Sequence, residues 1–171
     1  MASSLSQTVL FSVLVLLSLH QVCAKKAHLH FYFHEILSGP DATVMTVVKA
    51  PNTDSFTFGA IAVIDDMLRE GQDENSTLIG RAQGLVGAVG MDGSLETMLN
   101  FVFTEGKYNS STLAIYGRLV QGEPVERPVI GGTGMFRMAR GYSIAKPVLT
   151  SATKLVYEFD VYIWYKEMKE T

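Results

Sequence analysis

A single antiparallel all-β domain, closed into a barrel, is the fold that this 171-residue sequence predicts. Three observations point there. Short segments of alternating, β-branched or aromatic residues recur along the chain, each ended by a turn signal. No long stretch beyond residue 24 shows a helical period. Gly80, Gly84, Gly87 and Gly90 punctuate one segment, 77–90, where they suit the bends of a closed barrel better than a flat sheet.

The first 24 residues stand outside this fold. Val9 to Leu19 form an apolar run of secretory-signal length, too short to span a bilayer. Val22-Cys23-Ala24 then places small residues before an expected cleavage after Ala24, which leaves residues 25–171 as one domain. The alternative, a buried N-terminal helix, would end abruptly at Lys25-Lys26. Cys23 is the only cysteine and leaves with this segment, so a secreted barrel would be held by its core alone, without a disulfide. A net charge of −3 argues against a nucleic-acid partner, which would favour a basic face. Asn75-Ser76-Thr77 and Asn109-Ser110-Ser111 lie in polar segments and make Asn75 and Asn109 candidate glycan sites.

Strands are expected at 28–36, 43–49, 56–65, 77–90, 95–104, 112–119, 134–145 and 154–166. They are separated by Ser38-Gly39-Pro40-Asp41, Pro51-Asn52-Thr53-Asp54, Glu70-Gly71-Gln72-Asp73, Asp92-Gly93, the segment 106–111, and Gly122-Glu123-Pro124. Asp92-Gly93 has the composition of a two-residue hairpin. In the last strand Leu155, Tyr157, Phe159, Val161, Ile163 and Tyr165 share one side. The other side mixes Glu158, Asp160 and Lys166 with Tyr162 and Trp164, a face suited to cover by a partner chain.

Charges that interrupt apolar stripes mark the candidate site. In 134–145 the period of two puts Phe136, Met138, Arg140 and Tyr142 on one face, with a lone guanidinium among apolar groups. In 28–36 Leu29, Phe31, Phe33 and Glu35 share a face, and His28, His30, Tyr32 and His34 share the other. Asp65-Asp66 ends the run FTFGAIAVI, one carboxyl pointing inward and one outward. One arginine with two or three carboxylates at an apolar barrel mouth makes an acid–base pocket, in which burial raises a carboxyl pKa and pairing lowers it. Each residue also has a structural alternative: Arg140 closing the barrel end in an ion pair, Asp65-Asp66 capping a turn, Glu35 on the rim. Gly131-Gly132-Thr133-Gly134 is neither a Walker loop nor a dinucleotide loop, because it leads into a strand. His28-x-His30 followed by Glu35 has the spacing of a cupin metal motif. Glu35 points away from both histidines on an ideal strand, and no histidine follows residue 34 to complete the set. No metal is therefore expected. A lipocalin-like carrier is disfavoured because Trp164 is the only tryptophan and no disulfide is available.

GGTGMFRMARGY (131–142) resembles the C-terminal signature of plant dirigent proteins. HFYFHEILSG (30–39), FGAIAVIDDMLREG (58–71), IGRAQGL (79–85) and NFVFTEGKYNSSTLAIYGR (100–118) match in the same order, over nearly all of the chain after residue 27. The resemblance implies an eight-stranded antiparallel barrel that self-associates as a homodimer or homotrimer. It also implies an aromatic-lined pocket bearing Glu35, Asp65, Asp66 and Arg140, with Phe31, Phe33, Phe136, Met138 and Tyr142 against the substrate. Two departures matter: Met135 stands where lignan-forming relatives commonly carry aspartate, and Val86 where they carry tyrosine. The pocket is less polar than theirs, which puts a standard coniferyl alcohol substrate in question.

The function implied is stereochemical guidance of phenoxy radical coupling in the apoplast or cell wall, as in lignan biosynthesis, with laccase or peroxidase supplying the radicals. The chain shows no haem, flavin or copper motif, so no cofactor is expected. A quinone-methide-forming dehydratase-cyclase of pterocarpan synthase type is the alternative, and a phenolic-binding defence protein is a third.

Overall fold

The computed structural model describes residues 24–166. In chain order the strands are β1 (Ala24–Ile36), β2 (Val44–Val48), β3 (Ile61–Arg69), β4 (Leu78–Ala88), β5 (Leu95–Phe103), β6 (Ser111–Leu119), β7 (Val125–Thr133), β8 (Arg140–Thr150) and β9 (Lys154–Lys166). They pair antiparallel in the order β1-β9-β8-β7-β6-β5-β4-β3-β2, and β1 turns onto β3 to close the sheet. Eight strands make the barrel. Short β2 continues along the part of β3 that β1 leaves free: β1 takes residues 67–69 of β3, and β2 takes 61–64. No helix among the described residues is long and apolar enough to cross a membrane. The expected signal segment falls outside the described residues, except for Ala24, which opens β1.

Period-two patterning produces the barrel wall. Along β3, Ala62, Ile64, Asp66 and Leu68 are buried while Ile61, Val63 and Asp65 are exposed. On β9 the predicted inner row from Leu155 to Tyr165 does face the core. Its outer row is partly covered within the chain at Asp160 and Tyr162, while Trp164 and Lys166 stay exposed. Asp160 accepts from His28 Nε2 at 2.7 Å and meets His30 Nδ1 at 3.0 Å, and Tyr162 stacks between His28 and Tyr142.

Three element boundaries differ from expectation. The segment expected as a strand over 56–65 pairs only from Ile61 onward, so Asp65-Asp66 sits in mid-strand rather than at a strand end. The β4–β5 connection runs through 89–94, longer than a two-residue hairpin. Gly93 has φ 84° and Asp92 accepts from the Ser94 amide, so the turn signal is placed correctly but the loop is wider.

The third difference is β7, a strand the sequence reading passed over. Gly122-Glu123-Pro124 reads as a break, and no strand is expected between 119 and 134. In the fold β7 pairs with β6 only from Val129 onward, past an irregularity at Ala114/Ile115, so Pro128 has no ladder partner on that side to disappoint. β8 consequently begins at Arg140, and Gly134–Phe136 forms a 3-10 turn instead of strand.

One end of the barrel is closed by aromatic side chains. Phe136 is fully buried and packs on Tyr108, Tyr165 and Phe103, with ring centroids 4.8, 5.6 and 5.7 Å away. Above this plug Phe31 meets Phe101 and Phe159 at 5.3 and 5.7 Å. Such pairs contribute about 0.5–1.5 kcal/mol each beyond their buried area. Among the described residues the opposite end has no equivalent plug.

Gly84 on β4 allows β4 and β5 to approach. A Cβ there would collide with the Met98 carbonyl oxygen and lie 3.1 Å from Leu99 Cα, both backbone atoms that cannot rotate away. Gly84→Ala is expected to destabilise the barrel by about 1–3 kcal/mol, the range for overpacking. Urea unfolding would show a lower midpoint at unchanged m.

Candidate functional site

Strands β1, β3, β5, β7 and β9 send their inward residues into the unplugged end. There they surround a cavity of about 260 Å³. Its wall is mainly apolar: Phe33, Val44, Phe56, Ile64, Val86, Leu99, Leu155 and Phe159 contribute. The polar groups are few: Glu35, Thr46, Thr97, Gln121, Arg127 and Tyr157. A concave apolar site with a small number of fixed polar groups is the form of a small-molecule pocket.

Glu35 reaches the cavity because the alternation of β1 carries it inward beside Phe33. Burial pushes its carboxyl up to about 7. The β1–β3 register pairs Phe33 with Leu68 and His34 with Met67, so Asp66 lies in the next inward position, facing Glu35. Asp66 is 0% exposed. Burial, and then the neighbouring Glu35, push its carboxyl up to about 8, against a lowering by the Thr43 hydroxyl that donates to Oδ1. Its Oδ2 has no hydrogen-bond partner among the described residues. Glu35 and Asp66 thus form two acids that hold their protons where ordinary carboxyls have lost them.

Arg127 is the cation of the cavity. It stands on β7 between Val125 and Val129, in the phase that points inward, and is 2% exposed. Its Nη1 donates to Thr97 Oγ1 at 2.6 Å, and the guanidinium carbon lies 5.4 Å from the Phe159 ring centre. Burial lowers its pKa to about 10, which still leaves it charged at neutral pH. Tyr157 lies between the two ends of the polar arc: Glu35 raises its pKa and Arg127 lowers it, after the larger effect of burial.

The residues singled out from sequence therefore divide. Glu35 and Phe33 line the cavity and Asp66 lies behind Glu35, whereas Phe31 and Phe136 are buried toward the plugged end. Asp65 faces outward, its Oδ1 2.5 Å from Arg81 Nε. The expected inward stripe of Met138, Arg140 and Tyr142 is corrected. Met138 is 70% exposed at φ 65°, Arg140 is exposed, and Arg140 and Tyr142 share the outer face with Trp164 and Tyr162. The 3-10 turn at Gly134–Phe136 breaks the phase, so Phe136 points in while Arg140 points out. Arg140 Nη1 donates instead to the Ala139 carbonyl at 2.7 Å. Arg127 was overlooked, although Val125-x-Arg127-x-Val129 is the same apolar stripe with one arginine.

His28 and His30 lie on the outer face of β1, opposite Glu35. The described residues contain no group of three or more metal-ligating side chains. Asn75 and Asn109 are exposed in turns.

Comparison with known proteins adds to this geometry. A family model described as dirigent-like protein matches residues 26–164. Dirigent protein 11 of Arabidopsis thaliana is 46% identical over 145 residues, covering 82% of this chain and 75% of its own. Pterocarpan synthase 1 of Glycyrrhiza echinata is 38% identical over 149 residues, covering 82% and 79%. The solved pterocarpan synthase dirigent protein GePTS1 superposes with a TM-score of 0.81 at 32% identity, over 86% of this chain and 89% of that one.

The raised carboxyls carry a sign that can be tested. The folded barrel binds protons that the unfolded chain has released, so their contribution is full below the ordinary carboxylate range and is lost as pH rises through about 7 and 8. The melting temperature is expected to fall between about pH 5 and about pH 8.5, and Asp66→Asn should flatten the upper part of that fall. A slope identical in both proteins would mean that Asp66 is ionised in the folded state.

Proposed function

Because this chain belongs to the dirigent family, we propose that it guides phenolic coupling: phenoxy radicals made by a separate laccase or peroxidase are held in the cavity and joined with one handedness. The observation that carries this reading is the cavity itself, apolar and aromatic, plugged at one end, with Glu35 and Arg127 fixed on its wall. Radical pairing needs little activation, so orientation is what a protein adds. A facial preference of about 1.4 kcal/mol gives tenfold selectivity.

The coupled product is a quinone methide. It closes when a hydroxyl oxygen adds to the methide carbon; that hydroxyl loses its proton and the quinone oxygen gains one. A carboxyl held near neutrality, as Glu35 is, serves either transfer. Asp66 behind it supports the proton-bearing form of the pair, and Arg127 fixes a positive charge on the facing part of the cavity wall. The second reading, a dehydratase-cyclase, is favoured by the likeness to pterocarpan synthases. In it, protonated Glu35 would give its proton to a departing hydroxyl.

Secretion to the apoplast, with residues 1–24 removed and glycans on Asn75 and Asn109, belongs to the same proposal; the exposure of both asparagines supports it. Self-association as a homodimer or homotrimer is supported by a row of outward apolar side chains. Met45, Val63, Leu85, Met98 and Tyr116 are successive register partners across five strands, between 37% and 67% exposed. A contiguous apolar patch of this kind marks an interaction surface.

Chiral chromatography of laccase-oxidised coniferyl alcohol, with and without the protein, tests the main reading. Enantiomeric excess should require both protein and oxidase, and Glu35→Gln should lower it by at least half. Cyclisation of an isoflavanol without oxidase would establish the dehydratase instead. Separately, Met98→Glu is expected to shift the assembly toward monomer in sedimentation velocity, with the melting temperature nearly unchanged because the residue is exposed.

A further inference from the structure

Arg127 has no carboxylate within 4 Å among the described residues, although it is 2% exposed. A buried charge without a counter-charge is costly, and proteins pair it unless something else supplies the anion. Thr97 satisfies Nη1, while Nε has no partner among the described residues. The guanidinium also lies over the face of Phe159, and the cavity wall includes it. The other ionisable lining groups are Glu35 and Tyr157. Neither is offered to Arg127 as an anion: Glu35 stands at the β1–β3 side against Asp66 with its carboxyl raised by burial, and burial likewise raises the Tyr157 phenol above its ordinary value, which leaves it neutral at physiological pH.

We propose that the natural ligand is a phenol carrying a carboxylate on its side chain, of hydroxycinnamate type, with that carboxylate on Arg127 and the phenolic end toward Glu35. The inference rests on the phenolic reading of this cavity and names the substrate class within it. Orientation follows from the two ends. A guanidinium is a planar donor fork that matches a carboxylate with two parallel bonds, whereas a neutral alcohol takes only one. At the other end a ligand carboxylate would compete with Glu35 and Asp66 for protons, while a phenol can exchange one proton with Glu35. In a weakly acidic medium both acids are neutral and the cavity carries the single positive charge of Arg127. An anionic ligand cancels it and a neutral alcohol does not.

The test compares two probes that differ only in the side-chain terminus, ferulic acid and coniferyl alcohol, by calorimetric titration of the full mature chain at about pH 6, with acetate as a control for plain anions. Ferulate is expected to bind at least tenfold more tightly than the alcohol. Arg127→Met should abolish that preference, and Arg127→Lys should keep part of it because charge remains without the fork. Equal or tighter binding of the alcohol to the unaltered protein would overturn the carboxylate assignment and leave the phenolic cavity standing. Acetate binding as tightly as ferulate would overturn it as well, since the site would then read only charge. Binding of neither phenol would remove both the assignment and the phenolic reading beneath it. The comparison on the unaltered protein decides the matter even if Arg127→Met does not fold.

Discussion

Three residue pairs between β1 and β3 close the sheet, and the site is a consequence of that closure. An open sheet would leave β1 and the part of β3 beyond β2 as edges, with Glu35 and Asp66 at separate solvated margins. Once Phe33 is set against Leu68, the next inward positions on the two strands must share one small volume. Both are acids. Burial and their mutual repulsion outweigh the lowering of Asp66 by Thr43 and Arg81, so the fold converts two ordinary carboxyls into groups that titrate near neutrality. Thr43 fits this arrangement because its hydroxyl both receives the Ile36 amide and donates to Asp66.

The asymmetry of the two ends is the second consequence. Phe136, Tyr108, Phe103 and Tyr165 fill one end as a conventional core, so stability is concentrated there. At the other end the same inward phase delivers Glu35, Thr97, Arg127 and Tyr157, which cannot pack to that density and leave room. A barrel of eight strands is just wide enough for its side chains to fill, or to hold one small ligand. This chain does one at each end. The separation keeps the polar groups in fixed positions, because the strands that bear them are anchored in the aromatic plug below.

Much of this was legible in the alternation of single strands. Leu29-Phe31-Phe33-Glu35 and the row Leu155 to Tyr165 face inward as their patterns require, and the inward–outward split of Asp65-Asp66 is also met. The misplaced residues lie where the phase is reset. Between Phe136 and Arg140 a 3-10 turn and the positive φ of Met138 add a half-step, so counting by twos across them assigns the wrong face. The strand β7 follows the break at Gly122-Glu123-Pro124 and contains Pro128, and a proline inside a strand is tolerated only where no ladder partner is waiting. That condition depends on how β6 diverges, not on β7 itself.

By itself, then, the sequence determined that the chain is an antiparallel all-β domain, that it carries the dirigent signature, and which side chains within each uninterrupted strand share a face. Those properties are local: they follow from pleat geometry and turn chemistry over a few residues. Only the tertiary structure decided which end of the barrel stays open, that Asp66 rather than Asp65 backs Glu35, and that Arg127 rather than Arg140 is the buried cation. Each of these depends on register between strands distant in sequence, and register is set jointly by closure, bulges and turns that no single strand contains.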